Sequence, residues 1–427
     1  MARDMSASHR KKIAIIGSGI SGLGLASLLH PYHDITIYEK NAYIGGHSRT
    51  IDAVTQDGTV AVDTGFIVFN KRNYPLLTRL FDHLRVPYVE SDMSFGASIN
   101  GGWLEYATQS PQNIFSQKRN LIRPAFWKML LDILVFNKKA HRYLNQSPSI
   151  TLGQCLDELR LGEWFRQYFL LAMGGAIWSM PLAEMLKFPA ATFIRFFDNH
   201  GLLTVRDHPQ WYTVKGGSRE YVQRLTADFK DRICLNRGVI AVNRGVDGVT
   251  VRDVNGITEV YDQVVFACHA DQALGMMTNP SADELNILSA FKYQPNRAVL
   301  HSDISFMPAR KKAWASWVYL SEEREDDRAA VSLSYWMNNL QPLDTKQPII
   351  VTLNPGHEPD PALVYNDYIF EHPVFDEAAI SNQSNIDRIQ GIDRFWFCGA
   401  YQRYGFHEDG LGSAVKVAER MGIRPSW

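Results

Sequence analysis

The first pattern along the chain is a short apolar run, Lys12 to Ile16 (KIAII), that meets glycine at once. An apolar stretch of helical length, Ile20 to Leu29, follows, and then a second strand-like run, Asp34 to Tyr38 (DITIY). β-Branched residues in both runs, with a helix between them, predict a β-α-β unit, since parallel strands require a crossover of this length. From about Tyr74 to His200 the pattern changes to long helical stretches rich in aromatics, as in Phe126 to Phe136 and Phe193 to Phe197. Strand-like runs return at Val239 to Val242, Val249 to Val254 and Gln263 to Ala267, with the last two expected to join through an Asn255-Gly256 hairpin. Alternation around Trp314, Trp317, Tyr335 and Trp336 predicts antiparallel sheet over Arg297 to Leu353. Arg394 to Gly399 and then Leu411 to Met421 read as a strand entering a helix, and Glu322 to Arg328 as a solvated, charged loop.

Composition narrows the class. The 427 residues are 45% apolar and 21% charged, the balance of a packed chain, and the length predicts two domains. A formal charge of -1, with acids and bases interspersed, gives no global field that would draw nucleic acid. Cys155, Cys234, Cys268 and Cys398 lie far apart with no CxxC spacing, which argues against a disulfide framework or a structural zinc site and fits a reducing, cytoplasmic setting. Residues 1–10 read as a disordered leader without the apolar region of a secretory signal, and no apolar run is long enough to span a bilayer. The stretch Phe126 to Phe136 is apolar on nearly all faces apart from Lys128 and Asp132, and is flanked by Arg123, Lys138, Lys139 and Arg142. It reads either as a buried core helix or as an interfacial segment docked peripherally on a membrane.

The chemistry starts at Gly17-Ser-Gly-Ile-Ser-Gly22, placed between strand and helix. Gly17 permits the tight turn, Gly19 lets backbone approach a pyrophosphate, and Gly22 lets helix meet strand, while the helix N-terminus offers N–H groups to the phosphates. Glu39 ends the second strand about twenty residues on, where a carboxylate accepts the ribose hydroxyls of an adenosine. A second pair, Gly45-Gly46, follows the acid and supplies another close backbone approach, so a ligand longer than a nicotinamide dinucleotide is expected.

This arrangement resembles the flavin-containing amine oxidoreductase superfamily, in which a GG pair follows the ribose acid and lies along the FAD pyrophosphate. "VKGGSREYVQRL" (214–225), "NRGVIAV" (236–242) and "RFWFCGAYQRYGFHEDGLGSAVKVAER" (394–420) look like its returning pieces, in its order. More finely, "DTGFIVFNKRNYPLLTRLFDHL", "QKRNLIRPAFWKMLLDILVFN", "AMGGAIWSMP", "KFPAATFIRFFDNHGLL", "WYTVKGGSREYV", "AWASWVYL", "EHPVFD" and "YGFHEDGLGSA" resemble a branch of predicted NAD/FAD-binding proteins associated with cyclopropane-fatty-acid synthase-like methyltransferases. Arg49 and Gly412 depart from it, where His and Arg are expected.

The resemblance implies an α/β fold: a discontinuous, glutathione-reductase-type FAD-binding Rossmann domain (11–73, 211–290 and 386–427) with an inserted α+β substrate domain (74–210 and 291–385), as in amine oxidases. It implies FAD, expected to be non-covalent because Cys398 stands on a strand rather than at the superfamily's tether position; no metal is expected. Beside Gly17, Gly19, Ser21, Gly22, Glu39, Lys40, Gly45 and Gly46, the implied cofactor-binding residues are Arg49, Asp63, Thr64, Gly65, Phe66 and Val239. The returning pieces add Gly399, Ala400, Asp409, Gly410 and Ser413. Asp409 and Gly410 would start the closing helix, whose N–H groups face the flavin edge where negative charge collects on reduction.

Several readings stay double. Asp63 either precedes a loop lining the isoalloxazine ring or caps a strand-end turn. His407 and Glu408 are candidates for proton handling or for hydrogen-bonded structure, and Phe406 either faces an apolar substrate or packs. Lys292 is a loose candidate for the superfamily's flavin-side lysine. The expected activity is hydride removal from a C–H bond of an apolar substrate, foremost an unsaturated or methyl-modified acyl chain of a phospholipid. Amine oxidation with peroxide formation is one alternative, and a flavin-loaded, non-catalytic partner of a lipid methyltransferase is another.

Overall fold

The computed structural model describes residues 10–144, 150–178, 185–199, 203, 209–322 and 330–427. Its frame is a five-stranded parallel sheet in the order Ile233–Cys234, Asp34–Tyr38, Lys12–Ile16, Gln263–Phe266, Phe395–Phe397. Lys12–Ile16 is an unbroken apolar run because the central strands of a parallel sheet are covered on both faces. On one face lie the helices Ile20–Leu29 and His407–Arg420, which approach closely enough that a Cβ on Gly24 would stand 2.7 Å from Leu411 Cδ1 and one on Gly410 2.9 Å from Ile20 Cγ2. The other face is covered by an antiparallel meander, Val239–Arg244, Val249–Asp253 and Thr258–Tyr261, whose apolar side packs with Ile16, Tyr38 and Val264.

That meander corrects one expectation. The Asn255-Gly256 turn does form a hairpin, with Gly256 at φ +78, but its second strand is Thr258–Tyr261; Gln263–Phe266 leaves for the parallel sheet. A second correction concerns the helical stretch expected from Tyr74. The helix Pro75–His83 is followed by three strands, Tyr88–Ser91, Phe95–Ile99 and Leu104–Ala107, with Asn100, Gly101 and Gly102 turning the last two at positive φ. The long helices begin only at Pro124–Lys139. The expected leader lies outside the described residues except for Arg10, and so does the charge run apart from Glu322.

Phe95–Ile99 and Leu104–Ala107 complete a seven-stranded sheet in the order Val364–Val374, Lys292–His301, Ile350–Leu353, Ala330–Trp336, Trp317–Glu322, Phe95–Ile99, Leu104–Ala107. All neighbours in it are antiparallel except Trp317–Glu322 against Phe95–Ile99. The hairpin Thr50–Thr55/Gly58–Asp63 shares a core with this sheet through Ala53, Val60 and Val62. Phe406 packs against both the core of the parallel sheet and the helical core, stacking on Phe196 with ring centroids 5.4 Å apart.

The two halves are also joined by a buried acid. Asp63 accepts hydrogen bonds from the Ser218 N–H at 2.9 Å, Ser218 Oγ at 2.7 Å, Thr50 Oγ1 at 2.6 Å and Gln341 Nε2 at 2.8 Å. Burial pushes its carboxyl up to about 6 while these donors pull it down. The folded protein therefore keeps this proton at pH values where the unfolded chain, with an ordinary carboxyl near about 3.9, has lost it. The contribution of Asp63 to stability is fullest below pH ~4 and falls by up to about 3 kcal/mol as pH rises to ~6. Unfolding free energies of the wild type relative to Asp63→Asn, measured by denaturant titration, should decline across that window; a flat difference contradicts the assignment.

Candidate functional site

The carboxyl ends of the parallel strands bring Gly17, Glu39, Cys268 and Cys398 to one edge, the position where open α/β sheets bind ligands. Gly17 turns at φ +110, and a Cβ there would stand 2.6 Å from Ala267 O. A Cβ on Gly22 would lie 1.9 Å from Gly17 O, so both positions require glycine. Gly19 differs: a Cβ there would meet nothing within 4 Å, and it opens a helix with no side-chain cap. The first N–H groups of that helix have no intrahelical acceptor.

The second glycine pair closes on this loop. Gly45 N–H donates to Ser18 O at 2.9 Å, and a Cβ on Gly46, at φ +59, would lie 3.1 Å from Gly19 Cα. The chain then zips to the next strand end, with Phe66 N–H to His47 O at 2.7 Å and Thr64 N–H to Arg49 O at 2.9 Å. A Cβ on Gly65 would stand 2.2 Å from His47 O. Two glycine loops thus form one cradle whose open position is Gly19.

Glu39 is buried at its rim. Its Oε2 accepts from the Ser18 N–H at 3.2 Å and Ser18 Oγ at 2.5 Å, and its Oε1 from the Asn41 N–H at 2.8 Å and Asn41 Nδ2 at 2.9 Å. The backbone pair fixes the carboxylate; the side-chain pair are the donors that ribose hydroxyls would replace. Lys40 is exposed beside Gly238, and Val239 lies part-buried next to it. Ser21 is buried under Gly410, while Ser413 Oγ accepts from the Gly399 N–H at 2.8 Å and donates to Gly410 O at 2.7 Å, tying the start of the Ala400–Gln402 turn to the closing helix. That helix starts at His407, and Asp409 in its first turn accepts from the Phe406 N–H at 3.0 Å and the Tyr404 N–H at 3.2 Å.

His407, Glu408 and Phe406, each read either as chemistry or as structure, all have partners within the protein. Glu408 accepts from the N–H groups of Leu76 at 2.8 Å and Leu77 at 3.0 Å, so it caps the helix Pro75–His83 instead of facing a substrate. His407 Nε2 lies 2.8 Å from Ser48 Oγ and 3.2 Å from Tyr221 OH, with its ring stacked 3.8 Å from Phe66. Desolvation drops it to about 3, so it is neutral near pH 7. Phe406 spans the two cores, as described above. Asp63 has protein donors on both oxygens, and Lys292 is exposed and pairs with Asp376 at 3.8 Å.

Arg49, flagged as a departure, donates to Asn366 Oδ1 at 2.8 Å and lies 4.2 Å over Tyr368 and 5.7 Å from the Tyr43 ring. Close by is a group of histidines that pattern reading missed. His47 stacks on Phe370 at 5.0 Å and lies 5.3 Å from His372, and the charges that His372, His269 and His407 would carry all disfavour its protonation. Burial holds His269 and His372 at about 4 and His47 well below the ordinary range. The signal was present in Gly45-Gly46-His47 and in "EHPVFD", but the two stretches meet only in the folded chain. The Cys398 thiol is likewise pushed up by burial, which keeps it protonated. Among the described residues, no group of His, Cys, Asp or Glu is arranged to hold a metal ion, and no helix is long and apolar enough to cross a membrane.

Comparison with known proteins agrees with this geometry. The sequence profile of the family described as flavin containing amine oxidoreductase matches residues 20–339. Among solved structures, a CLA-producing fatty acid isomerase from P. acnes is similar at TM-score 0.66 and 14% identity, over 97% of this chain and 99% of the other. Cyclohexylamine oxidase from Brevibacterium oxydans IH-35A is similar at TM-score 0.65 and 15% identity, over 97% and 100%. Putrescine oxidase bound to putrescine reaches TM-score 0.67 at 14% identity, over 97% and 99%.

The cradle fits FAD: an open glycine position at Gly19, an uncapped helix N-terminus and a buried acid at the second strand end. Gly19→Val separates binding from folding, because nothing lies within 4 Å of the added Cβ. The variant should keep the wild-type circular dichroism spectrum while its FAD affinity, titrated by flavin fluorescence quenching, falls by about tenfold or more, equivalent to roughly 1.4 kcal/mol. Unchanged affinity would place the pyrophosphate elsewhere.

Proposed function

We propose, from the premise that this chain belongs to the flavin-containing amine oxidoreductase family and is an FAD-dependent oxidoreductase, that it dehydrogenates or desaturates an apolar substrate, foremost an unsaturated or methyl-modified phospholipid acyl chain. FAD, when bound, supplies the acceptor for a hydride taken from one substrate carbon, and the proton lost from the neighbouring carbon as the double bond forms passes to solvent. The protein holds the cofactor through the two glycine loops and Glu39. The start of the helix His407–Arg420 presents a positive dipole end that favours negative charge facing it.

The observation that carries the choice of substrate is the fate of the buried acids. A buried carboxylate with no partner in the protein would favour an ammonium substrate, through a charge-assisted hydrogen bond. Apart from Glu39 at the ribose position, the buried carboxylates among the described residues are committed within the protein. Asp63 and Asp409 serve the backbone and hydroxyl donors described above, and Glu105 pairs with Arg310 at 2.8 Å. Asp132 pairs with Lys128 at 2.9 Å, Asp253 with Arg237 at 2.5 Å, and Glu284 with Arg244. The histidines about His47 are held neutral by burial, and Phe66 stacks on the His407 ring. Such surroundings suit a chain recognised by shape and apolar contact, with water excluded.

The fold alone does not decide, since the similar structures include both a fatty acid isomerase and amine oxidases. Mixing the FAD-loaded protein anaerobically in a stopped-flow spectrophotometer tests the reading. Vesicles of unsaturated or methyl-modified phospholipids should bleach the visible flavin band, and a panel of amines should not. Bleaching by an amine overturns the substrate class, and absence of bleaching by any lipid overturns the acyl-chain reading.

A further inference from the structure

The helix Pro124–Lys139 reconciles the two sequence readings by having two faces. Phe126, Met129, Asp132 and Phe136 are buried, whereas Trp127, Leu131 and Leu134 share the opposite face in water. Ile122 and Leu121, in the turn before the helix, extend that stripe; Ile122 is 84% exposed, Leu131 60% and Leu134 51%. The Trp127 indole N–H donates to Leu121 O at 2.9 Å, holding the turn against the helix so that the apolar groups form one ordered surface.

Along the chain on both sides of the stripe the charge has one sign. Lys118, Arg119 and Arg123 precede it, and Lys138, Lys139 and Arg142 follow it. Asp132, the one acid between Pro111 and Arg142, is turned inward, where it accepts from Lys128 Nζ and, at 2.8 Å, from the Gly162 N–H. This basic rim belongs to a chain whose overall charge is -1. Arg123 lies 5.1 Å over the Trp103 ring, adding an aromatic-cation pair beside the stripe.

We propose that this face docks the protein on an anionic lipid surface, with Ile122, Trp127, Leu131 and Leu134 entering the headgroup-acyl boundary and the basic residues on both sides meeting the lipid phosphates. Exposed aliphatic and aromatic groups on one face of a helix, bordered by Lys and Arg, are the chemistry of interfacial helices. A second copy of the chain fits less well, because a two-fold contact on this face would set one basic rim against another. The proposal is independent of the substrate reading.

Co-sedimentation of the FAD-loaded, full-length protein with phosphatidylglycerol/phosphatidylethanolamine vesicles tests it, with phosphatidylcholine vesicles as the neutral control. Binding to the anionic vesicles should weaken with salt and fall by about tenfold or more in the double variant Leu131→Glu/Leu134→Glu. Lys138→Glu/Lys139→Glu should weaken binding to the anionic vesicles in the same direction. Thermal unfolding of the leucine variant should match the wild type, since these groups face solvent. Failure of the wild type to sediment with anionic vesicles, or binding by the leucine variant equal to wild type, overturns the proposal. So does a wild-type dimer that the leucine variant dissolves, seen by light scattering, without vesicle binding. Sedimentation needs no turnover, so its failure and a failure of the acyl-chain reading are distinguished.

Discussion

The contact between two glycine loops is the constraint from which the site follows. Gly45 N–H reaches Ser18 O, and Gly46 lies against Gly19 at a distance that an added side chain would have to disturb. With the loops locked together, the segment after Gly46 has one course: His47 and Arg49 bond to Phe66 and Thr64, and the hairpin of residues 50–63 carries the chain to the seven-stranded sheet. The parallel sheet and the seven-stranded sheet are therefore joined at the cradle itself. Asp63 adds a buried polar clamp between Ser218, Thr50 and Gln341. A buried acid with this many donors costs desolvation and gives orientation in return.

Around the cradle the protein supplies dipoles and shape more than charge. The histidines about His47 are held neutral by burial, and the closing helix contributes its N-terminal dipole. Proton transfer through His407 at neutral pH would require charging a group whose surroundings strongly oppose it. That agrees with chemistry in which the cofactor takes the electrons and the protein positions the reactants.

The legible parts of the sequence were those in which one short stretch determines its own conformation. Gly17 to Gly22 and Glu39 could be read because turn, helix start and strand end are local features. The Phe126 to Phe136 stretch could be recognised as a helix, but which face met the core could not be read without its neighbours. The partners of Glu408 were out of reach for a related reason: a carboxylate at one helix start can serve a different helix, and only the fold shows that Leu76 and Leu77 are its donors. The strands from Tyr88 to Ala107 were overlooked because the aromatic-rich helices after them dominated the pattern, although Asn100-Gly101-Gly102 marked the turn. His47 and His372 lie far apart along the chain, so their meeting depends on the pairing of Val364–Val374 with Lys292–His301, which local pattern does not specify.

The most direct test of this account is an experimentally determined structure of the FAD-loaded protein. The account predicts pyrophosphate density over the open side of Gly19, next to the helix start at Ile20, with the adenosine ribose at Glu39 in place of the Ser18 and Asn41 side-chain donors. Pyrophosphate density elsewhere, or a Glu39 still bonded to both of those side chains with FAD present, would contradict it.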